Sequence, residues 1–168
     1  MEGLNEAKYG HNIIIVFCYL LRGNDVLLIR RGGMPYKGEV TIPGGKKEKG
    51  ESPFEACRRE VLEETGLHVD DLDLAGIVSN CRCGGSADIT SFYFLSRSFH
   101  GELHSGPEGT VAWHDVDDSF LIENVSPFYS LITPMALGEG KLFHGKIDVG
   151  EDGSILGSDL SLTGGIRK

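Results

Sequence analysis

Three glutamates, at positions 60, 63 and 64, stand close together in a stretch that is predicted to be helical. Residues three and four apart lie on the same side of an α-helix, so these carboxylates share about 100° of its surface. Two carboxylates about 5 Å apart repel by roughly 3 kcal/mol at an effective dielectric constant near 20. A divalent cation reverses the sign of that energy, and clustered carboxylates suit hard ions such as Mg²⁺ or Mn²⁺. The spacing therefore indicates a cation-binding site, with an ordinary solvent-exposed charged face as the alternative.

The helix that carries these glutamates has its own start and stop signals. Ser52 can act as the N-cap with Pro53 in the first turn, and Glu55 can complete a capping box. Gly66 is placed to end the helix in a left-handed conformation. Ala56 is predicted to lie above the carboxylates, where a small side chain leaves space for a ligand. Helical periodicity predicts a core face formed by Phe54, Cys57, Val61, Leu62 and Thr65.

A longer motif surrounds the helix. It begins at Gly45 and continues with Glu51, Arg59-Glu60, Glu63-Glu64 and Gly66, with apolar residues at Val61 and Leu67. This pattern resembles the Nudix box, G-x5-E-x7-R-E-U-x-E-E-x-G-U with U apolar, at every position. Its seven fixed identities, at roughly 7% each, would occur by chance in about one of 10⁸ windows. The chain is therefore identified as a member of the Nudix hydrolase family, with a resemblance that extends over about residues 12–118.

The resemblance implies a reaction and a set of metal ligands. Nudix enzymes hydrolyse nucleoside diphosphates linked to a further group, with a divalent metal (Mg²⁺ or Mn²⁺) and a water that attacks phosphorus. By resemblance, Glu60 and Glu64 are the first metal ligands, and Gly44 offers its carbonyl. Glu63 resembles the third carboxylate, which is either a ligand or a base that orients the water. Glu63 and Glu64 are accordingly expected to be catalytic.

The other residues of the box are given supporting roles by the same resemblance. Arg59 is counted with the catalytic residues, because it can pair with a carboxylate and fix its orientation. Glu51 is expected to join it in holding the loop to the helix, with Gly45 and Gly66 as structural support. Lys46 is expected to face a substrate phosphate.

Three residues outside the box resemble positions of the MutT-type nucleotide pyrophosphohydrolases. Glu108 corresponds to a loop glutamate that joins the metal site and the catalytic residues; the alternative is a loop carboxylate beside a turn glycine. Arg30 would contact a substrate phosphate or sugar, unless it is a strand end that faces solvent. Asn124 stands where these enzymes keep an asparagine that reads the base, although its spacing from Glu108 is shorter here. The alternative is that Asn124 caps a helix. One aromatic residue of positions 92–94 could stack on a base, although core packing is favoured.

Signatures that mark other Nudix subgroups are missing from this sequence. ADP-ribose enzymes place a proline where Cys83 stands, and dinucleoside-polyphosphate enzymes place a tyrosine near Gly85. The remaining expectation is a (d)NTP, or an oxidised form such as 8-oxo-dGTP, cut to a monophosphate and pyrophosphate. ADP-ribose, another nucleotide sugar or a dinucleotide stays an alternative substrate. A non-catalytic nucleotide-binding sensor is an alternative of a different class, although the intact box favours an enzyme.

Composition limits the partners. A net charge of −9 over 168 residues argues against binding to a nucleic acid polymer or to an anionic membrane. The N-terminus lacks the basic segment of a signal peptide, and the longest apolar run, 13–21, is far shorter than the roughly 20 residues that span a bilayer. A cytoplasmic monomer or homodimer is the expectation. The four cysteines lack zinc-site spacing and are predicted to be reduced thiols: Cys18, Cys57, Cys81 and Cys83.

Interleaved strands, helices and hairpins predict the fold class. The expectation is an α/β (α+β) fold, a Nudix-type α/β/α sandwich with a mixed central sheet, in a single domain over residues 1–168. The core is predicted over about 12–118, a helix and a hairpin over 119–158, and a flexible tail over 159–168. Pro134 is expected to kink or break the helix that begins at Ser126. Strands are predicted at 12–22, 26–31, 40–42, 72–80, 89–99, 109–116, 141–149 and 154–156.

Overall fold

A mixed sheet of nine strands forms the centre of the computed structural model, which describes residues 11–82, 87–138 and 140–166. The strands are β1 (His11–Arg22), β2 (Asp25–Arg31), β3 (Val40–Thr41), β4 (Gly44–Lys46), β5 (Leu67–Val69), β6 (Asp73–Arg82), β7 (Ala87–Ser96), β8 (Phe99–Gly101), β9 (Gly109–Asp115), β10 (Lys141–Val149) and β11 (Ile155–Ile166). The helices are α1 (Pro53–Thr65), α2 (Val116–Ser119) and α3 (Pro127–Ala136).

The strand order of this sheet is β11-β10-β6-β7-β1-β2-β3, with β4 also paired to β1 and β9 also paired to β2. β1 runs parallel to β7, and β10 runs parallel to β6, whereas the other pairs are antiparallel. β1 pairs with β2 only at its end, where Leu21 lies opposite Val26. Its middle is free to pair with β4, where Phe17 lies opposite Gly44. The paired glycines of the box are thereby held against the central strand.

Side chains of β1 alternate between two hydrophobic cores, one on each face of the sheet. Val16, Cys18 and Leu20 join the core that contains α1. Tyr19 and Leu21 join the core that contains α3. Helices therefore cover both faces, which is the α/β/α arrangement predicted from the sequence.

Helix α1 begins and ends where its capping signals predict. The Ser52 hydroxyl accepts from the Glu55 N–H at 3.2 Å, and the Glu55 carboxylate accepts from the Ser52 N–H at 2.7 Å. Gly66 adopts φ +76° and its N–H bonds the Leu62 carbonyl. The predicted core face needs correction, because Phe54 is 41% exposed and Leu62 is 38% exposed.

Ala56 is fully buried among core residues. It does not leave the predicted space for a ligand above the carboxylates. The reason is that α1 turns its Ala56 side toward the sheet, so the small side chain allows close packing instead.

The C-terminal hairpin is longer than predicted. Residues 159–166, expected to be flexible, continue β11 and pair with β10 from Val149↔Ile155 to Lys141↔Ile166. Ile155 and Leu160 pack against the core that contains α3. Backbone pairing with a long neighbouring strand, more than apolar content, keeps this edge strand ordered.

Pro134 does not break α3, which continues to Ala136. A proline in a helix removes one hydrogen bond and crowds the preceding turn. Here only the last turn follows it, and the Leu137 N–H still bonds the Thr133 carbonyl at 2.9 Å.

The remaining expectations concern membrane-spanning helices, the cysteines and residues outside the described ranges. Within the described residues, no helix is long and apolar enough to cross a bilayer. Cys18, Cys57 and Cys81 are free thiols. Cys83 and Gly85, on which the comparison with other subgroups depends, lie outside the described residues, as do the N-terminal residues 1–10.

Candidate active site

A cavity of about 770 Å³ lies against the sheet, between the glycine loop and the start of α3. Charged, aromatic and polar side chains line it. The charged lining residues include Lys46, Arg31, Arg59, Glu60, Glu63 and Glu108. The lining also includes Phe17, Tyr93, Asn80, Arg82, Phe128 and Tyr129.

Gly45 allows a carboxylate to lie directly against β4. A Cβ atom at this position would overlap the carboxylate of Glu60, which is 8% exposed. Burial raises the pKa of Glu60, the nearby Glu63 and Glu108 raise it further, and Arg59 opposes the shift. Gly45, the first glycine of the box, is thus a requirement for placing this acid beside the loop.

Glu64 is the most deeply buried carboxylate of the cluster, at 4% exposure. Its Oε2 accepts from the Gly44 N–H at 2.8 Å. Burial, together with the charges of Glu60 and Glu108, raises the pKa of Glu64 to about 8 despite this hydrogen bond. Without a cation, an ionised Glu64 is therefore unfavourable near neutral pH.

Arg59 joins the loop to the helix. Its Nε and Nη2 donate to the two carboxylate oxygens of Glu51, at 3.1 and 2.7 Å. Its Nη1 donates to Glu60 Oε1 at 2.8 Å and to Glu63 Oε2 at 3.2 Å. Nη2 also donates to the Lys46 carbonyl at 3.0 Å. The bonds from Arg59 lower the pKa of Glu51 to about 2, so this carboxylate stays ionised and holds the guanidinium in place.

Glu108 approaches the cluster from a different part of the chain. It lies beside β9, and its carbonyl accepts from the Gly32 N–H at 2.7 Å. Its charge is close enough to raise the pKa of both Glu60 and Glu64. The loop that precedes β9 is therefore tied to the end of β2 and brings a fourth acid to the helix.

The two other predicted substrate contacts lie away from the cavity lining. Arg30 Nη1 donates to the carbonyls of Gly38 and Glu123, at 3.0 and 3.4 Å. Asn124 is exposed, adopts φ +62°, and its carbonyl accepts from the Val40 N–H. Neither geometry supports the predicted contact, and the alternative of a helix cap also fails for Asn124 because Ser126 is the N-cap of α3.

Arg31, which the sequence did not single out, lines the cavity, and its charge lowers the pKa of Glu64. Successive residues of a strand point to opposite faces, so an uncertainty of one position in a motif match changes the face of the side chain. The motif match therefore does not distinguish between the two adjacent arginines.

Comparisons with known proteins assign this chain to a family. A family model for the NUDIX domain matches residues 11–135. The chain belongs to the Nudix hydrolase family. It is 33% identical over 129 residues to the uncharacterized Nudix hydrolase YvcI of Bacillus subtilis, covering 74% of this chain and 73% of that protein. It is 35% identical over 104 residues to the ADP-ribose pyrophosphatase of Methanocaldococcus jannaschii, covering 62% of each.

A solved structure extends the Nudix assignment to the fold. The MutT protein of Bacillus halodurans matches with a TM-score of 0.77 and 26% identity, over 89% of this chain and 97% of that one. The predicted Nudix fold and hydrolase class are therefore confirmed. As a Nudix hydrolase the chain is a pyrophosphohydrolase, and such enzymes generally need a divalent cation.

The carboxylate oxygens of the Nudix box are ligands that suit such a cation, although the side chains do not surround a common point. Among the described residues, no three His, Cys, Asp or Glu side chains form a ready metal-binding group. Arg59 occupies one oxygen of Glu60 and one of Glu63, and the Gly44 N–H occupies one oxygen of Glu64. The donors are all hard oxygens, and burial with neighbouring carboxylates raises the pKa of Glu60 and Glu64, an effect that a divalent cation relieves. The residues present therefore fit the ion.

Proposed function

We propose that this Nudix hydrolase cleaves a nucleoside triphosphate, a (d)NTP or an oxidised form such as 8-oxo-dGTP, to a monophosphate and pyrophosphate with Mg²⁺. One observation carries the proposal: acidic residues of the Nudix box and several aromatic side chains line the same cavity. Such a cavity suits a ligand with phosphates at one end and a planar base at the other. The likeness to the Bacillus halodurans MutT protein supports the same choice.

The metal would be held by Glu60, Glu63, Glu64 and Glu108, with the Gly44 carbonyl as a further donor. A bound divalent ion would lower the pKa of the attacking water and neutralise charge that develops on the phosphoryl oxygens. Mn²⁺ is expected to substitute for Mg²⁺, because both prefer oxygen ligands.

Cationic side chains of the chain itself would bind and orient the phosphates. Lys46 is exposed at the mouth of the cavity, and Arg31 lines the same region near Glu64. Charge-assisted hydrogen bonds to phosphate are stronger than neutral ones, so these two residues can fix the reacting phosphorus relative to the acids. Arg59 is already committed to Glu51, Glu60 and Glu63 and acts by positioning them.

Glu63 differs from the other acids in its exposure. Its side chain is 53% exposed, whereas the side chain of Glu60 is 11% exposed. An exposed carboxylate next to the cluster can accept a hydrogen bond from the attacking water and take up its proton. We therefore assign the water-orienting role to Glu63, and metal binding chiefly to Glu60 and Glu64.

The aromatic side chains of the cavity would receive the base. Phe17 and Tyr93 stack with ring centroids 5.2 Å apart, and both line the cavity. Phe128 and Tyr129 line it from α3. Aromatic surface of this kind favours a planar nucleobase over a second charged group.

A second substrate, ADP-ribose, is favoured by a separate observation. A relative with 35% identity is named an ADP-ribose pyrophosphatase. The two substrates give different products, because ADP-ribose would be cut to AMP and ribose 5-phosphate instead of a monophosphate and pyrophosphate.

The test is a panel of canonical and oxidised triphosphates, dinucleoside polyphosphates and ADP-ribose, with Mg²⁺ or with EDTA, followed by separation of the products. We expect a monophosphate plus pyrophosphate, formed only with metal. AMP plus ribose 5-phosphate as the dominant products would favour the second substrate, and no product from any compound would indicate a nucleotide sensor.

Variants test whether the residues of the site are responsible for the hydrolysis that the substrate panel measures. Glu64→Gln should lower kcat by several orders of magnitude, because it removes a charge that balances the cation, and Glu108→Gln should also slow turnover. Glu123→Gln changes an exposed glutamate outside the cavity lining and is the control. An unchanged rate for Glu108→Gln would remove that residue from the site, and a Glu64→Gln rate within tenfold of the wild type would refute the assignment.

A further inference from the structure

A buried asparagine lines the cavity from β6, which lies three strands away from the glycine loop on β4. Asn80 is 8% exposed, and its Nδ2 donates to Ser91 Oγ at 2.9 Å. Its Oδ1 is buried and has no hydrogen-bond partner among the described residues. An unpaired buried carbonyl is destabilising, and native proteins contain few of them. No core-packing role accounts for this acceptor.

Strand pairing places Asn80 at a defined distance from the phosphate end. Lys46 on β4 pairs with Ile15 on β1, and Ile15 pairs with Ser91 on β7. The next strand is β6, on which Asn80 lies. Three strand spacings of about 4.8 Å separate β4 from β6 by about 14 Å. The aromatic pair of Phe17 and Tyr93 lies on the intervening strands.

The amide is held in place by its neighbour. Ser91 is 1% exposed and lines the same cavity, so its hydroxyl can fix the orientation of the Asn80 amide. Fixing Nδ2 in this way directs the remaining acceptor in a single orientation. A rigid buried acceptor discriminates strongly, because a ligand that lacks the matching donor leaves the acceptor unpaired.

We propose that Asn80 determines base specificity: its Oδ1 accepts a hydrogen bond from an N–H group on the nucleobase of the substrate. The proposal rests on the proposed function, because it assumes that the phosphates lie beside the carboxylates of the Nudix box. It assigns to Asn80 a role that neither the Nudix box nor the predicted base-reading Asn124 supplies. The substrate class is accordingly a nucleotide whose base carries an N–H donor on its distal edge.

The experiment compares pairs of triphosphates in which one member lacks an N–H donor. The pairs are GTP and inosine triphosphate, ATP and purine riboside triphosphate, and 8-oxo-dGTP and dGTP. We expect the wild type to prefer the donor-bearing member of at least one pair by about tenfold or more in kcat/KM. This comparison needs no variant.

Asn80→Leu then tests whether the preference depends on the amide. The leucine has a similar volume and no acceptor, so the ratio should fall toward one, with a raised KM and a similar kcat. Ser79→Ala is the matched control, because Ser79 is the adjacent residue on β6 and is exposed. Its ratio should equal that of the wild type. The melting temperature of Asn80→Leu without ligand shows whether the variant is folded, because the substitution removes the unpaired Oδ1 and also the bond from Nδ2 to the buried Ser91 hydroxyl.

The outcomes separate the two proposals. No hydrolysis of any nucleotide by the wild type would overturn the proposed function and this inference together. Hydrolysis without a preference in any pair, or with the same preference in Asn80→Leu, would overturn the inference alone. An unchanged preference in Asn80→Leu would mean that an internal water, and not the base, satisfies Oδ1.

Discussion

At the scale of single residues, Glu64 combines burial with a neighbouring pair of like charges. Its pKa of about 8 means that the metal-free protein holds a proton there that a glutamate in water releases near pH 4.5. Burial and the repulsion from Glu60 and Glu108 both favour the protonated carboxyl, and a divalent cation offsets that preference on binding. The fold of the Nudix box thus keeps several carboxyl groups close together although their charges repel one another.

This coupling predicts how stability depends on pH when metal is absent. Between about pH 4.5 and pH 8, the folded state binds a proton that the unfolded state releases, so the free energy of unfolding falls as pH rises. In EDTA, we expect the melting temperature of the wild type to decline across this range. Glu64→Gln should flatten the decline, while Glu123→Gln should retain it. Parallel curves for the wild type and Glu64→Gln would contradict the raised pKa.

At the scale of elements, the site depends on how β4 and α1 fit together. Gly44 supplies the N–H for Glu64, Gly45 leaves room for Glu60, and Arg59 spans from the helix to the Glu51 loop. The loop and helix therefore act as one unit, and a change that separates them should reduce activity without direct contact with substrate.

Gly45→Ala tests this fit. The added Cβ would overlap the Glu60 carboxylate and displace it, so kcat should fall by roughly 100-fold. Gly33→Ala is the control, because a Cβ at Gly33 meets no atom within 4 Å. Steady-state kinetics with the nucleotide that the wild type cleaves measures both. Equal rates for the two alanine variants would show that the carboxylate does not need this position.

The long second strand of the C-terminal hairpin gives another prediction at this scale. Leu160 packs against the core, whereas Leu162 is 48% exposed. Leu160→Ala should lower the free energy of unfolding by about 1–2 kcal/mol, less than the 2–5 kcal/mol of a fully buried leucine. Leu162→Ala should have little effect. Chemical denaturation of both distinguishes an ordered β11 from the flexible tail expected from sequence, for which neither variant would matter.

Local signals explain which elements the sequence predicts well. Caps at Ser52 and Gly66 are set by neighbouring residues, so the boundaries of α1 follow from the sequence. The small sheet of β5 and β8 does not follow from local signals, because Leu67 pairs with Gly101 far along the chain. For the same reason, the pairing that orders residues 159–166 left no local signal.

At the scale of the whole molecule, the cavity is assembled from distant segments. Residues of the box, the loop before β9 and strands β6 and β7 meet around one volume. The sequence identifies the box because its spacing is local, and it suggests Glu108 through resemblance. Asn80 and Arg31 become visible only when the strands are paired. The one available signal for Asn80 was a polar residue two positions after the buried Val78, on the inward side of its strand.

Anomalous diffraction from crystals grown with Mn²⁺ and a non-hydrolysable nucleoside triphosphate tests the central claim most directly. We predict a manganese peak bounded by the carboxylates of Glu60 and Glu64, with the phosphates next to it and the base toward Asn80. A nucleotide bound without manganese at these acids, or a peak elsewhere while Arg59 keeps its bonds to Glu60 and Glu63, would contradict it.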